Sequence, residues 1–382
     1  MTSRLLTPGP TPVPEEAALA MAAPLIHHRT AEFKAILRET RARLAGAFRT
    51  AGEVAVVTSS GSGGMEAAVT SLCPPGARIL VASSGRFGDR WAAIGKAFGL
   101  AVVHETCPAG GSFDAARFAS LLSSAGPFHA AFVTGSESST GARNDLKAFG
   151  AAARAAGVLL VADVITALGA IPVEMDAWGI DAAIGASQKA FGVPPGLAFV
   201  ALGERALQRL EQGGLPRFYL DLARELARQR SGETAFTPAI PQVSATLAVL
   251  RRLEGEAFEI HLRETAQRAR SVRAAAGALG LKLVAIDAPA DSLTALWLPE
   301  GVDGAALVRG IETRTGLRLA GGQGDLKGKI VRMAHLGFVS TADTIAGVAA
   351  LESALRAAGA TVRPGAAVAA AMAVFEDKAA TR

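Results

Sequence analysis

The sequence predicts an α/β protein: a mostly parallel, seven-stranded sheet covered by helices, followed by a smaller α+β domain. Two observations lead to this fold class. Seven short apolar runs rich in β-branched residues lie between residues 53 and 203, and segments of helical length and spacing separate most of them, as at 145–157. Strands that are apolar on both faces are typical of a parallel sheet with helices on each side.

Each predicted strand is an apolar run that ends in a polar or glycine-containing turn. The seven strands are expected at 53–60, 78–84, 101–107, 129–136, 158–165, 182–188 and 197–203. After residue 217 the pattern changes to long helices, expected at 218–230 and within 242–280. The smaller unit then alternates strands at 281–286, 293–298 and 329–337 with helices at 304–316 and 341–359.

These patterns divide the chain into four segments. Residues 1–30 are rich in proline and resemble an extended N-terminal arm. Residues 31–244 form the large domain, and residues 245–360 form the small C-terminal domain. Residues 361–382 are expected to be a loosely held tail.

Composition and charge narrow the function classes. The net charge is +5, but the chain has one tyrosine and only 5% aromatic residues, so base-stacking platforms are scarce and no nucleic-acid partner is expected. The longest apolar run, 366–375, is too short to span a bilayer, and no membrane partner is expected. The N-terminus lacks a signal-peptide pattern and two cysteines make no disulfide framework, which favours a cytoplasmic protein.

Three polar features follow predicted strands, where ligands bind in parallel sheets. The glycine-rich turn "SGSGG" at 60–64 could cradle a phosphate at a helix start, although such turns are common. Asp163 ends an apolar strand, either as a helix cap or ion-pair partner or as a carboxylate that binds a ligand nitrogen. Lys189 ends the next strand, ahead of "GVPPG", either as a salt-bridge partner of Asp163 or as a Schiff-base amine. A phosphate nest, a carboxylate and a lysine at one sheet edge are what pyridoxal 5'-phosphate (PLP) requires.

On these residues the chain resembles the class V PLP-dependent aminotransferases of fold type I, within the alanine–glyoxylate and serine–glyoxylate (serine–pyruvate) aminotransferase group. The resemblance runs from "LLTPGPTPVP" to about residue 357. The segments that carry it are "SGSGGMEAA", "GRFGDRW", "ESSTG", "VADVITALGAIPVEMDAWGID", "SQKAFGVPPGL" and "GGQGDLKGKIVRMAHLG".

The resemblance implies a role for each matching position. Lys189 would form the Schiff base and act as the catalytic acid and base, and Asp163 would bind the pyridine nitrogen and keep it protonated. Arg332 would bind the substrate carboxylate, which suits its planar fork. The remaining cofactor contacts would come from Ser60, Gly61, Ser62, Phe87, Ser138, Gln188 and Thr237.

Some of these positions keep a second interpretation. Phe87 could be a core residue rather than the ring that stacks on PLP, and Arg332 could lie on an exposed edge strand. Thr237 matches a threonine that reaches the phosphate of the neighbouring subunit, which implies a homodimer. Gly135 stands where the family often has a histidine. The arm residues His27, His28 and Arg29 could touch substrate or be solvated.

The function expected from the resemblance is transamination between a small amino acid, alanine or serine, and a 2-oxo acid such as glyoxylate or pyruvate, with no metal. Another amino donor such as phosphoserine, or a non-catalytic subunit with this fold, stays open. Cysteine desulfurases need a cysteine beyond the lysine, and both cysteines here, Cys73 and Cys107, precede Lys189. A kynureninase-like hydrolase would need pocket features that the sequence does not identify.

Overall fold

A computed structural model of the chain describes residues 4–377. Its strands are β1 Arg4–Leu5, β2 Glu53–Thr58, β3 Arg78–Ser83, β4 Ala101–Thr106, β5 Ala130–Thr134, β6 Ser136–Glu137, β7 Ala142–Arg143, β8 Leu159–Asp163, β9 Ala182–Ala186, β10 Leu197–Leu202, β11 Leu293–Trp297, β12 Leu317–Arg318, β13 Ala320–Gly321 and β14 Ile330–Ala334. Its α-helices are α1 Glu15–Ala22, α2 Ala31–Phe48, α3 Gly61–Leu72, α4 Arg86–Ala97, α5 Ala115–Ser124, α6 Leu146–Ala155, α7 Glu204–Glu211, α8 Leu222–Gln229, α9 Ile240–Arg252, α10 Glu256–Ala278, α11 Gly304–Thr315, α12 Thr341–Ala357 and α13 Ala366–Glu376.

The main sheet has seven strands in the order β2-β10-β9-β8-β5-β3-β4. All neighbours pair in parallel except β10, which is antiparallel to both β2 and β9. Only residues 187–196 join β9 to β10, too short a link for the helical crossover that parallel neighbours need. The predicted mostly parallel, seven-stranded sheet is therefore confirmed.

The two faces of this sheet bury separate apolar cores, as the alternation of side chains along a strand requires. In β2, Val54 and Val56 belong to the core that includes α2, α6 and α9, whereas Ala55 and Val57 belong to the core that includes α3 and α4. Both faces are thus covered by helices, which accounts for the uniformly apolar strands of the sequence.

The small α+β unit surrounds a three-stranded antiparallel sheet in the order β11-β14-β13. The strand expected at 281–286 does not form, because only Leu283 makes an isolated bridge, to Leu296. The boundary expected between residues 244 and 245 falls inside α9, whose buried Val243, Ala245 and Val249 pack in a core of the large sheet.

Both ends of the described chain differ from the expected arm and tail. At the N-terminus, β1 pairs with β12 of the small unit, Leu6 is buried in that unit's core, and α1 packs on α9. At the other end, α13 packs on α10 and α12 with Ala367 and Ala371 buried, so this part of the expected tail is held. Residues 1–3 of the expected arm and 378–382 of the expected tail lie outside the described residues. No helix between residues 4 and 377 combines the length and apolarity needed to cross a membrane.

Candidate active site

Asp163 and Lys189 come together at the carboxyl edge of the main sheet. Asp163 is the last residue of β8, opposite Ile184 of the parallel neighbour β9, and Lys189 follows three residues after β9 ends. Gly192 then adopts φ +62°, and its N–H donates to the carbonyl of Lys189 at 3.0 Å. This left-handed glycine turns the backbone back toward β10 and leaves the Lys189 side chain at the strand ends.

The Asp163 carboxyl group is buried, with 3% of its surface exposed. Its Oδ1 accepts a hydrogen bond from the N–H of Ile165 at 2.8 Å. Burial raises the pKa of Asp163 to about 7, and the charge of Glu137 adds to this rise, while the Ile165 N–H, Lys189 and Arg90 oppose it. These groups leave the pKa near neutral, so a further cation or N–H donor beside Asp163 is needed to keep it fully ionised.

Lys189 experiences the opposite shift from the same surroundings. Burial lowers its pKa to about 8; the charges of Arg332 and Arg90 add to the decrease and Asp163 opposes it. The Nζ atom donates to the carbonyl oxygen of Pro8 at 2.5 Å. A lysine amine with this pKa is partly neutral near physiological pH and can act as a nucleophile or a base.

The glycine-rich turn begins α3 beside these strand ends. Ser60 is the N-cap, and its carbonyl accepts from Gly63 and Gly64 at 2.9 and 3.2 Å. The first amides of the helix, Gly61 and Ser62, have no intrahelical acceptor, which makes them donors for an anion. A Cβ atom on Gly61 would lie 2.6 Å from Cδ1 of Ile165 and 3.2 Å from Cβ of Ala186, so the start of the helix packs closely against the strand ends.

Phe87 and Arg90 lie against this nest. The Arg90 Nη1 donates to Oγ of Ser62 at 2.8 Å, and its guanidinium lies 4.7 Å from the centroid of the Phe87 ring. No carboxylate within residues 4–377 forms an ion pair with Arg90. The nest thus holds a partly buried cation with no acidic partner, which favours an anionic ligand.

Glu137 and Arg332 complete the buried charges. Glu137 Oε2 accepts from the N–H groups of Phe87 and Gly88 at 2.9 and 3.1 Å, and its Oε1 accepts from the N–H and hydroxyl of Ser139 at 2.9 and 2.6 Å. The fully buried Glu137 therefore caps the start of α4, where the N-cap Gly85 has no side chain.

Arg332 comes from the small unit, in the middle of β14. Its Nη1 donates to the carbonyl of Ser138 at 2.5 Å and its Nε to that of Gly321 at 3.0 Å. Burial lowers its pKa to about 10, and the charge of Glu137 opposes this change. Arg332 is therefore buried rather than on an exposed edge strand, and its contact with Ser138 brings two predicted site residues together.

Other predicted positions are placed differently. The side-chain oxygen of Gln188 is buried and has no hydrogen-bond partner among the described residues. Thr237 is exposed on the single chain. The rings of His27 and His28 stack 4.5 Å apart near the surface, and Arg29 pairs with Glu233 at 3.9 Å.

Gly135, at the position where a histidine is often found, packs under Asp163. Its N–H donates to the backbone carbonyl of Asp163 at 2.8 Å. A Cβ atom at this position would lie 2.9 Å from Cδ1 of Leu146. Leu146 therefore leaves little room for a side chain at residue 135.

Sequence reasoning missed three features of the site: Glu137, Arg90 and the arm segment 8–11. Glu137 and Arg90 lie within the quoted motifs "ESSTG" and "GRFGDRW". Glu137 follows the predicted strand at 129–136 and so carried the strand-end signal, whereas Arg90 lies inside helix α4 and had no such signal. The segment 8–11 offered only its Pro-Gly-Pro composition, which predicts a turn but no partner.

A separate cavity of about 1040 Å³ lies away from Lys189 and is lined by residues such as Phe113, Leu146, Ile171 and Val284. Neither Lys189 nor Arg332 lines it. We place the candidate site at Lys189, because the buried groups with shifted pKa values, Asp163, Lys189 and Arg332, lie together there.

Comparisons with known proteins identify the family of the chain. The sequence pattern of "Aminotransferase class-V" matches residues 16–323. The chain belongs to the class-V aminotransferase family. A relative named "Soluble hydrogenase, small subunit", from Synechococcus sp. (strain PCC 6716), is 37% identical over 97% of this chain and 98% of its own length.

Two further similar proteins have names that specify an amino donor. The L-aspartate–glyoxylate aminotransferase of Paracoccus denitrificans is 32% identical over 97% of this chain and 96% of its own length. A crystal structure of an aspartate aminotransferase of subgroup IV from Thermus thermophilus has a TM-score of 0.86 and 37% identity, covering 92% of this chain and 99% of that one. The fold is therefore that of the class-V aminotransferases, PLP fold type I, as predicted.

Class-V aminotransferases are PLP-dependent, and the residues of this site fit that cofactor. PLP presents an anionic phosphate, a ring nitrogen that can carry a proton and an aldehyde that reacts with an amine. The chain offers a helix start with the unpaired Arg90, the buried carboxylate of Asp163 and the amine of Lys189. The unpartnered Gln188 oxygen lies in the residue next to Lys189, so this amide is also free to bind a ligand.

Proposed function

We propose that this class-V aminotransferase transfers the amino group of a small L-amino acid, alanine or serine, to a 2-oxo acid such as glyoxylate or pyruvate. The observation that carries the proposal is the position of Lys189. Its amine has a pKa lowered to about 8 and is influenced by the buried charges of Asp163 and Arg332 and by the partly buried Arg90. A lysine with only a structural role would not need Arg90 and Arg332 beside it, since neither arginine forms an ion pair with a carboxylate of the described residues.

The large domain would hold the cofactor. When bound, PLP activates the Cα–H bond of an amino acid and carries its amino group. Asp163 would bind the ring nitrogen and hold a proton on it, because a buried carboxylate is stabilised by a cation. Phe87 would stack on the ring and Ser138 would lie near its hydroxyl side. The phosphate would be held by Ser60, Gly61, Ser62 and Gln188.

Lys189 would both hold the cofactor covalently and move the proton at Cα of the substrate. General bases work best when their pKa lies near the operating pH. A pKa of about 8 leaves a useful fraction of Lys189 neutral, ready to accept the proton, and a useful fraction charged, ready to return it. Asp163 favours the charged form, so the two groups tune each other.

Arg332 would bind the carboxylate that the donor and the 2-oxo acid share. Its hydrogen bonds to Ser138 and Gly321 use two of five N–H donors, which leaves enough for a carboxylate. These two carbonyls fix the plane of the guanidinium, so its geometry is set before the substrate arrives.

We infer further that the enzyme acts in the cytoplasm as a homodimer in which Thr237 reaches the neighbouring cofactor phosphate. The support is the surface beside Thr237. Phe218 and Tyr219 are 69% and 46% exposed, and their rings contact Phe236 at 5.7 and 4.9 Å. Exposed aromatic clusters of this kind are typical of interfaces. Sedimentation at several protein concentrations tests this, and a monomer at all of them would contradict it.

Aspartate is a second candidate donor. Two similar proteins carry aspartate in their names. In addition, Arg90 has no carboxylate partner in the described part of the chain and lies close enough to Lys189 to lower its pKa. A dicarboxylate donor could use both arginines.

The visible absorption of the purified protein, with and without added PLP, tests the proposal. We expect a band from lysine-bound cofactor that decays on addition of L-alanine or L-serine and returns with glyoxylate or pyruvate. L-aspartate and phosphoserine are run in parallel, and Lys189→Ala is the control that cannot form the band. If the band decays only with L-aspartate or only with phosphoserine, that amino acid is the donor instead of alanine or serine. A protein that never shows the band would favour the non-catalytic subunit instead.

A further inference from the structure

A short part of the N-terminal arm, residues 6–11, runs from the small unit to Lys189; we call it the strap. Its first residue is hydrogen-bonded to the small unit: the N–H of Leu6 donates to the carbonyl of Arg318, and the carbonyl of Leu6 accepts from the N–H of Ala334, both at 2.9 Å. Its last residue is hydrogen-bonded to the backbone of Lys189. The Thr11 hydroxyl donates to the backbone carbonyl of Lys189 at 2.6 Å.

The middle of the strap contacts the reactive end of the lysine. Lys189 Nζ donates to the carbonyl oxygen of Pro8 at 2.5 Å. Gly9 follows with φ +124°, a conformation that L side chains rarely adopt. A Cβ atom on Gly9 would lie 2.4 Å from Nζ and 2.6 Å from Cδ of Lys189. The backbone conformation therefore favours glycine here, and any side chain would displace the Lys189 amine.

These contacts hold Lys189 at two points. Thr11 fixes its backbone and Pro8 fixes its amine, although both belong to a segment far away in sequence. A carbonyl oxygen can only accept, so it takes one N–H of the amine and restricts rotation about the Cε–Nζ bond. The lone pair of a neutral amine then has a defined direction, which proton transfer to or from a carbon requires.

The strap also connects the two domains at the site. Ala334, which donates to Leu6, lies two residues after Arg332 on β14. Gly337, just beyond β14, packs on Thr11, because a Cβ atom there would lie 3.0 Å from the Thr11 hydroxyl oxygen. The strand that carries Arg332 and the segment that holds the Lys189 amine are thus joined through hydrogen bonds and close packing.

We propose that the strap is a positioning element for Lys189, in which the Pro8 carbonyl receives the amine and Gly9 and Thr11 keep it in place. Its part in catalysis rests on the proposed function, in which Lys189 moves the Cα proton. The hold on the amine does not need the cofactor and can be measured without it.

The first test measures the pKa of Lys189 in cofactor-free protein, by competitive labelling of amines across a pH series and mass spectrometry of the Lys189 peptide. Gly9→Ala puts a methyl group where Nζ lies, and Thr11→Val removes the hydroxyl that anchors Lys189. A hydrogen bond to a carbonyl favours the charged amine, so its loss lowers the pKa. We expect Lys189 to titrate about one pH unit below its wild-type value in Gly9→Ala and to shift in the same direction, by less, in Thr11→Val.

The second test follows the reaction of each variant loaded with cofactor. We expect the rate of amino transfer from the donor to fall about 10- to 100-fold in Gly9→Ala, while the affinity for PLP stays close to wild type. Gly99→Ala, a glycine with φ +71° and open space around it, controls for the backbone cost. Thr40→Val removes a buried hydroxyl that donates to Ile36 O at 2.8 Å, outside the site.

The outcomes separate the two proposals. An unchanged Lys189 titration in a folded Gly9→Ala or, if that variant does not fold, in Thr11→Val would overturn the strap proposal. A shifted titration together with a slow reaction supports it. If the wild type never binds PLP, the proposed function fails, whereas the titration in cofactor-free protein still decides the role of the strap.

Discussion

Asp163 and Arg332 are both buried beside Lys189, but the fold brings them there by different routes. Asp163 ends β8, the parallel neighbour of the strand that leads into Lys189, and its Oδ1 accepts from Ile165, two residues later. Arg332 lies in the middle of β14 in the small unit and donates to Gly321 on the adjacent strand β13 and to Ser138, which is far from it in sequence. One half of the site is set by neighbouring strands, and the other by the packing of two units.

This difference has an electrostatic counterpart. Burial raises the pKa of Asp163 and lowers those of Lys189 and Arg332, so each charge is disfavoured where it lies. Attraction between the opposite charges of the cluster offsets part of the free-energy cost of burying them. Changes on the Asp163 side should therefore alter the chemistry of the lysine, and changes on the Arg332 side should alter substrate binding.

The largest effect is expected for Asp163→Asn. Asparagine keeps the shape and can still accept from Ile165, but it has no charge with which to hold a proton on the cofactor nitrogen. We expect the rate of amino transfer to fall about 10²- to 10⁴-fold, measured by the decay of cofactor absorbance with donor. Asp181→Asn is the matched control, since Asp181 is also buried and accepts from Leu160 N–H at 2.8 Å outside the site. Near-wild-type rates in Asp163→Asn would show that the strand-end carboxylate is structural.

Arg332→Lys tests the other half of the site. Lysine keeps the charge but loses the planar fork and one of the two carbonyl contacts. We expect kcat/KM for the donor to fall about 100-fold, mainly through KM, with the absorbance of bound cofactor unchanged. Arg273→Lys, which alters an arginine of the small unit paired with Asp291 at 2.7 Å, is expected to leave KM unchanged. An equal loss of cofactor binding in Arg332→Lys would place this arginine on the cofactor rather than the substrate.

The same contrast explains how much the sequence could predict. Asp163 and Lys189 follow apolar runs, and the order of parallel strands brings such ends to one edge, so residue patterns alone suggested them. Arg332 was predicted as a site residue only from the family resemblance, because no local sequence pattern indicates which loop an antiparallel strand will contact. The contact between Lys189 and Pro8 had no local signal, since it joins residues far apart in the chain.

Elements outside the site were missed for local reasons. The run 281–286 has strand-like composition, but only Leu283 finds a partner strand. The helix at Ala366–Glu376 could have been predicted, because alanine is the best helix former and the apolar run 366–375 is rich in it. Its buried Ala367 and Ala371 are one helical turn apart, the spacing of a packed face.

Glu137→Gln probes the region between the Asp163 and Arg332 sides of the site. Glu137 caps the start of α4 and comes just after β5 of the main sheet, next to Ser138, which accepts from Arg332. A glutamine has a single acceptor oxygen. It can accept either from the N–H groups of Phe87 and Gly88 or from that of Ser139, but not from both sets. We expect a loss of about 2 kcal/mol in the free energy of unfolding and a several-fold weaker affinity for PLP. Glu225→Gln, at another buried glutamate, should destabilise the protein without changing that affinity. A stable Glu137→Gln with normal affinity would contradict the proposed link between the α4 cap and the placement of Phe87.

The smallest effect is expected in the pH dependence of stability of the cofactor-free protein. The pKa of Asp163 is about 7 in the fold and near 4 in an unfolded chain, so the folded protein holds a proton there that the unfolded chain releases. Its contribution to stability is complete below the unfolded value and is lost as the pH rises through about 7. Asp163→Asn removes this dependence. We therefore expect the variant to gain about 1 kcal/mol relative to wild type for each pH unit between about pH 4 and 7, measured by urea unfolding at a series of pH values. A constant difference between the two proteins across that series would mean that Lys189 and Arg90 keep Asp163 ionised even without the cofactor, and the strand-end half of the site would then be charged at all these pH values.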